Sequence, residues 1–108
     1  MEEKAIIRAM SALAHTVRLK VFRALVVAGR QGMTPGTMAE ALDIPANTLS
    51  FHLKELASAG LVTQERASRN IIYRAAFEQM NAVLGYLTQN CCQGADCALT
   101  TAPAACNC

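Results

Sequence analysis

Five cysteines, the whole complement of the chain, fall within its last eighteen residues, as Cys91, Cys92, Cys97, Cys106 and Cys108. Cysteines that serve a core are usually buried singly. These share a segment with Gly94, Pro103 and Asn107, which is unsuited to a core. Exposed thiolates are reactive, so a cluster of them points to chemistry. Thiolate is the soft ligand, and no group of His, Asp or Glu accompanies it apart from Asp96, so the set selects soft ions. Trivalent arsenic and antimony take three thiolates in a pyramid with a lone pair at the apex. Cys91 and Cys92 are neighbours, and the loop Gln93-Gly94-Ala95-Asp96 is long enough to return Cys97 to them, with Gly94 permitting a sharp turn. These three are the candidate ligands of one ion. Cys106 and Cys108 form a second pair: a rival third ligand, a carrier by thiol exchange, or incidental. Four thiolates would instead suit tetrahedral zinc or cadmium. His15 and His52 have no partner at helical ligand spacing and read as a cap or surface residue and as a phosphate or packing residue.

The element that would position such a group against a second function is Thr34 to Leu61. It reads as two short helices joined by a tight turn. Thr34 is an N-cap candidate with Pro35 at the first helical position. Asp43-Ile44-Pro45 breaks the first helix, because a residue before proline is pushed out of the helical region. The second helix runs from Pro45 or Ala46 to Ala59, with Gly60 as its C-terminal cap. Leu49, Leu53, Leu56 and Ala57 make one apolar stripe on it. Asn47, Ser50, Phe51, Lys54 and Ser58 fall on the other side. A short helix leaning on another, with a polar face outward, is what a major-groove reader requires. Candidate DNA-contacting residues are Asn47, Thr48, Ser50, Phe51, His52 and Lys54. Leu61–Arg66 and Ile71–Arg74 then read as strands joined by Ala67-Ser68-Arg69-Asn70, with basic Arg66, Arg69 and Arg74 at the strand ends and loop tip and Arg66 and Arg69 as the candidate DNA contacts.

Helices over Glu2–Met10 and His15–Ala28 precede this unit, and a helix over Phe77–Gln89 follows it. The pattern is mainly α (α+β): a winged helix-turn-helix with four helices, two strands and a fifth helix. Ile6 and Met10 near the start, and Met80, Val83, Leu84 and Leu87 near the end, form apolar faces beyond what a small winged helix needs. They are candidate dimer contacts, which would set two reading helices about 34 Å apart on an inverted repeat. The expected organisation is a DNA-binding and dimerisation domain over 1–90 and a thiol-rich tail over 91–108.

The runs LAHTVRLKVFRAL, LSFHLKELASAGLV and ERASRNIIYR resemble the ArsR/SmtB family of metal- and metalloid-sensing repressors, and within it the arsenical-resistance repressors. The likeness covers Met10 to Gln79. It implies a homodimer on double-stranded operator DNA, released when an inducer, As(III) or Sb(III), binds the protein, with no organic cofactor. Two departures matter. The first helix of the reading pair holds Met38-Ala39-Glu40-Ala41-Leu42, where many members carry a C-x-C pair, and the zinc-type Asp/His site of the last helix is missing. Sensing therefore has to lie elsewhere, and some arsenic repressors carry a C-C-x(n)-C group after the last helix.

At 108 residues the chain is one domain, and a 53% hydrophobic fraction is high for its size, in keeping with a subunit interface. A net charge of +2 does not itself indicate nucleic acid, but its distribution does. Every Lys or Arg from residue 18 onward lies between Arg18 and Arg74, leaving the thiol segment without one. No signal peptide or run of about 20 apolar residues is present, so a cytoplasmic protein with reduced thiols and no membrane partner is expected. No Ser/His/Asp grouping, phosphate-cradling glycine loop or C-x-x-C motif points to an enzyme. Three other readings stay open: a thiol redox or persulfide sensor, a methylarsenite sensor needing two thiols, and a metal-buffering protein without an operator.

Overall fold

The computed structural model describes residues 2–94. Five α-helices and one hairpin follow in the order α1 Glu3–Leu13, α2 Thr16–Ala28, α3 Pro35–Leu42, α4 Ala46–Ser58, β1 Val62–Ala67, β2 Asn70–Ala75 and α5 Phe77–Leu87. Single 3-10 turns cover Gly29–Gln31 and Cys91–Gly94. This is the winged helix-turn-helix order expected from the sequence. Among the described residues no helix is long and apolar enough to cross a membrane.

Local chemistry sets the boundaries. The Thr34 side chain accepts from the Thr37 amide, capping α3, with Pro35 in its first turn. Two helices stop in the same way. At the end of α4 the Leu61 amide donates to the Leu56 carbonyl and the Gly60 amide to Ala57, with Gly60 at φ 79°. That is the Schellman pattern, and its usual apolar contact is supplied by Leu56 and Leu61, both fully buried. At the end of α3, Ile44 donates to Ala39 and Asp43 to Glu40, with Asp43 left-handed at φ 54°. The left-handed Asp43, and not the pre-proline restriction alone, therefore terminates α3. Short polar Asp tolerates this conformation better than most residues.

The core is one cluster. Ile6 and Ala9 of α1, Val21, Phe22 and Leu25 of α2, Met38 of α3, Leu49, Leu53 and Leu56 of α4, and Val83 of α5 are all buried in it. The expected α4 stripe is present except that Ala57 is half-buried and His52 is inside. α1 runs three residues further than expected, to Leu13, because Ala12 also joins the core.

The wing is longer and its turn tighter than the four-residue loop expected. Ala67 pairs with Asn70, leaving Ser68-Arg69 as a two-residue turn with Ser68 at φ 61°. At the base of the wing, Met33 exchanges both backbone hydrogen bonds with Tyr73, giving β2 a partner on its second edge. Gly32, at φ 68°, makes that approach possible: a Cβ there would lie 2.6 Å from the Tyr73 carbonyl oxygen. The Gly32→Ala variant combines a backbone clash with a strained φ, and is expected to lose about 3 kcal/mol of unfolding free energy. Urea denaturation of the two proteins measures it; a loss below about 1 kcal/mol would mean that the contact with β2 yields easily.

Candidate nucleic-acid interface and thiol segment

α4 is buried on one side only. Leu49, Leu53 and Leu56 are at most 1% exposed, and full burial of each contributes about 1.5–3 kcal/mol. With that side fixed against the neighbouring helices, Asn47, Thr48, Ser50, Phe51 and Lys54 are all left in solvent. Their chemistry is mixed in the way base edges and phosphates require. Hydroxyls and an amide can exchange hydrogen bonds, an aromatic edge can meet a thymine methyl, and an ammonium can meet phosphate. The Asn47 carbonyl oxygen accepts from the Thr48 amide at 3.0 Å, holding that side chain at the start of the helix. Phe51 is 54% exposed, a large apolar residue presented by a helix with a complete core face. Ser58 is drawn to the other end of the helix, where its hydroxyl lies 2.5 Å from Arg8 of α1.

In the wing, Arg66 and Arg69 are exposed, and Arg69 occupies the turn itself. Arg74 points back to the protein: it donates through Nε to the Arg30 carbonyl and through Nη1 to Glu65, each at 2.7 Å. It ties the wing to the end of α2, leaving Arg66 and Arg69 as the wing cations turned to solvent.

His52 departs most from its sequence-based placement among DNA-contacting residues. It is 6% exposed, on the core side of α4. Its Nδ1 accepts from Nε of Arg18, on α2, at 3.2 Å. His15 packs its ring 4.7 Å from that of His52, centroid to centroid, and caps α2 by accepting from the Val17 amide. The Arg18 guanidinium carbon also stands 5.9 Å from the centroid of the Phe51 ring. Burial, followed by the charges of His15 and Arg18, pushes the His52 imidazole below its ordinary pKa, against a smaller pull from Glu55. The sequence marked Arg18 as the first of the basic residues from position 18 onward. Thirty-four residues separate it from His52, so no spacing rule connects them.

The expected dimer residues divide into two groups. Ile6 and Val83 belong to the chain's own core, at 2% and 4% exposure, because their helices turn them inward. Met80 is half-buried against the same core. Met10, Leu84 and Leu87 remain exposed, joined by Ile7 and Tyr86, which sequence periodicity did not single out. The Tyr86 hydroxyl lies 3.4 Å from a carboxylate oxygen of Glu3, so α1 and α5 present these residues from adjoining helices.

Of the thiols, Cys91 and Cys92 lie in the 3-10 turn after α5, while Cys97, Cys106 and Cys108 lie outside the described residues. Cys91 is half-buried. Its amide donates to the Thr88 carbonyl, and the Thr88 hydroxyl donates to the Leu84 carbonyl at 2.8 Å. The first thiol is thereby coupled through backbone to the last turn of α5. The left-handed positions Asn90 and Gln93 turn the chain on either side of it. Among the described residues no three His, Cys, Asp or Glu side chains converge at metal-binding distance. An open groove between α2 and α3, lined by Leu19, Arg23, Val27, Met33 and Leu42 among others, offers neither thiolate nor imidazole.

A helix-turn-helix domain family model (HTH_20) matches residues 13–65, which covers α2 to β1. The SmtB repressor of Mycobacterium tuberculosis (strain CDC 1551 / Oshkosh) is 46% identical over 39 residues, 36% of this chain and 29% of that protein. Over these stretches the chain is similar to helix-turn-helix proteins, the SmtB repressor among them. Its match thus spans under a third of the length of this curated relative. An ArsR-like regulator from Rhodococcus superposes with a TM-score of 0.72 at 24% identity, over 80% of this chain and 78% of that one. The homodimeric winged helix-turn-helix domain of a possible ArsR-family regulator from Mycobacterium bovis gives 0.64 at 24% identity, over 87% of each chain. These two likenesses show the fold. The fold is that of winged helix-turn-helix domains.

Proposed function

We propose that the chain is a metalloid-responsive transcriptional repressor. Two copies bind an inverted repeat in double-stranded operator DNA and let go when As(III), or Sb(III), is captured by Cys91, Cys92 and Cys97. The observation that carries the reading is the exposed α4 surface of Asn47, Thr48, Ser50, Phe51 and Lys54, together with the exposed Arg66 and Arg69 of the wing. The relative from Mycobacterium tuberculosis is named a repressor, which favours the same role. Self-association is supported by the exposed Ile7, Met10, Leu84 and Leu87, and by the homodimeric state stated for the domain from Mycobacterium bovis.

In the capture step, arsenous acid exchanges its three hydroxyls for three sulfurs. Each thiol proton leaves with a hydroxyl as water, and arsenic stays trivalent. Bringing Cys91 toward two other sulfurs pulls on the Thr88–Leu84 hydrogen bonds, and so on the turn of α5 that exposes Leu84 and Leu87. The two reading heads then shift. A coupling of about 3 kcal/mol would weaken DNA binding about 150-fold, and arsenite would bind the free protein more tightly by the same factor.

Duplexes enriched by the protein from a random-sequence pool supply the probe. Cys91→Ser is expected to bind them like the parent and to lose release by arsenite in a gel shift. Release at parental arsenite concentrations would remove Cys91 from the site, and release by peroxide but not arsenite would favour the redox reading. Lys54→Ala should weaken binding to all enriched duplexes alike and lower the slope of log affinity against log salt by about 1, as loss of one phosphate contact requires. Fluorescence anisotropy over a salt series measures it. Failure to enrich any duplex would leave the metal-buffering reading. Finally, Leu84→Glu combined with Leu87→Glu should halve the mass seen in sedimentation equilibrium with the helical circular dichroism kept; an unchanged mass places the dimer contact on another face.

A further inference from the structure

The polar cluster between α2 and α4 joins a buried titratable ring to the surface that would read DNA. His52 is on the core side of α4, at 6% exposure, and Phe51 beside it is on the outer side, at 54%. The two rings meet edge to face at 5.3 Å. Arg18 touches both, donating to Nδ1 of His52 and placing its guanidinium over Phe51. One side chain of α2 therefore fixes two consecutive residues of α4. We propose that neutral His52, held by Arg18, is a positioning residue for the exposed face of α4, and that its protonation releases this face and weakens binding to duplex DNA. The second clause rests on the DNA-binding reading given above.

The hydrogen bond dictates the sign. Arg18 can only donate, so Nδ1 of His52 has to be an unprotonated acceptor and the ring proton sits on Nε2. An imidazolium has no acceptor left. Protonation therefore replaces an attraction with two cations in contact. The groups facing the ring agree with this. From α2 come Arg18 and His15, whose ring is 4.7 Å away, and from α4 itself comes Glu55, the single acid among them. Arg8 of α1 lines the same cleft as Arg18 and Glu55. Since the folded chain holds His52 below its ordinary value, the contact is at full strength above pH of about 6.5 and is lost as pH falls through the lowered value. Added positive charge ordinarily tightens binding to DNA as pH falls. The cluster demands the reverse, so the direction of the profile separates it from general electrostatics.

Two measurements on the full chain decide it. Without DNA, NMR titration of the histidine rings should show His52 as the Nε2–H tautomer titrating below the ordinary imidazole value. Amide exchange over Asn47–Lys54 should rise along the His52 curve. Exchange in α4 that ignores His52 titration overturns the proposal. With duplexes enriched from a random pool, parental affinity should fall about fivefold or more between pH of about 7.5 and 5.5. His52→Asn, which keeps an acceptor near the Nδ1 position but does not titrate, should bind at pH 7.5 and change less than about twofold over that range. His15→Asn, which keeps a helix-capping oxygen, should retain the parental profile. If His52→Asn keeps the parental profile, or if parental affinity rises on acidification, the coupling of His52 to reading is wrong. If no duplex is enriched, the DNA-binding reading fails, and the NMR titration alone judges whether Arg18 and His52 hold the face of α4.

Discussion

The structure depends on the burial of one side of α4. Leu49, Leu53 and Leu56 are sealed against α1, α2 and α3, and that seal determines which residues of the helix remain outside. A helix of thirteen residues would be marginal alone in water. Packing supplies its stability, while the Schellman stop at Gly60 and Leu61 supplies its length. The hydrogen-bonding and charged groups needed to read a duplex can then be held by a helix without entering its core. The only polar residue on the buried side is His52, and there the chain provides Arg18 as its partner.

A second constraint concerns how the two ends of the chain meet. α1 and α5 lie together, with Tyr86 reaching Glu3, and both carry exposed apolar residues. Cys91 follows α5 within one turn and is tied to it through Thr88. A thiol at this position can act on an apolar surface without contacting α4. Eight of the ten basic residues lie between Arg18 of α2 and Arg74 of β2, and the thiols lie beyond them.

Much of the fold was legible in the sequence, for identifiable reasons. Thr34-Pro35 opens α3 and Gly60 closes α4 because caps are local events, satisfied within four or five residues. The apolar spacing of α4 and the paired runs of the wing are local as well. The errors have a common cause. Ala12 extends α1, His52 turns inward, and Ile6 and Val83 join the core although periodicity also suits them to a partner surface. In each case the side of a helix that becomes buried was settled by another element far away in sequence.

The sequence by itself determined the order of elements, the caps of α3 and α4, the lack of basic residues beyond Arg74 and the confinement of cysteines to the last eighteen residues. Each of these follows from residue type and near-neighbour spacing. Tertiary structure alone decided that Arg18 meets His52 and Phe51, that Arg74 is turned in while Arg66 and Arg69 stay out, and that Gly32 lies against β2. Those pairings join residues tens of positions apart, and only the packing of α2 against α4 and of the 32–33 segment against β2 brings their atoms within reach.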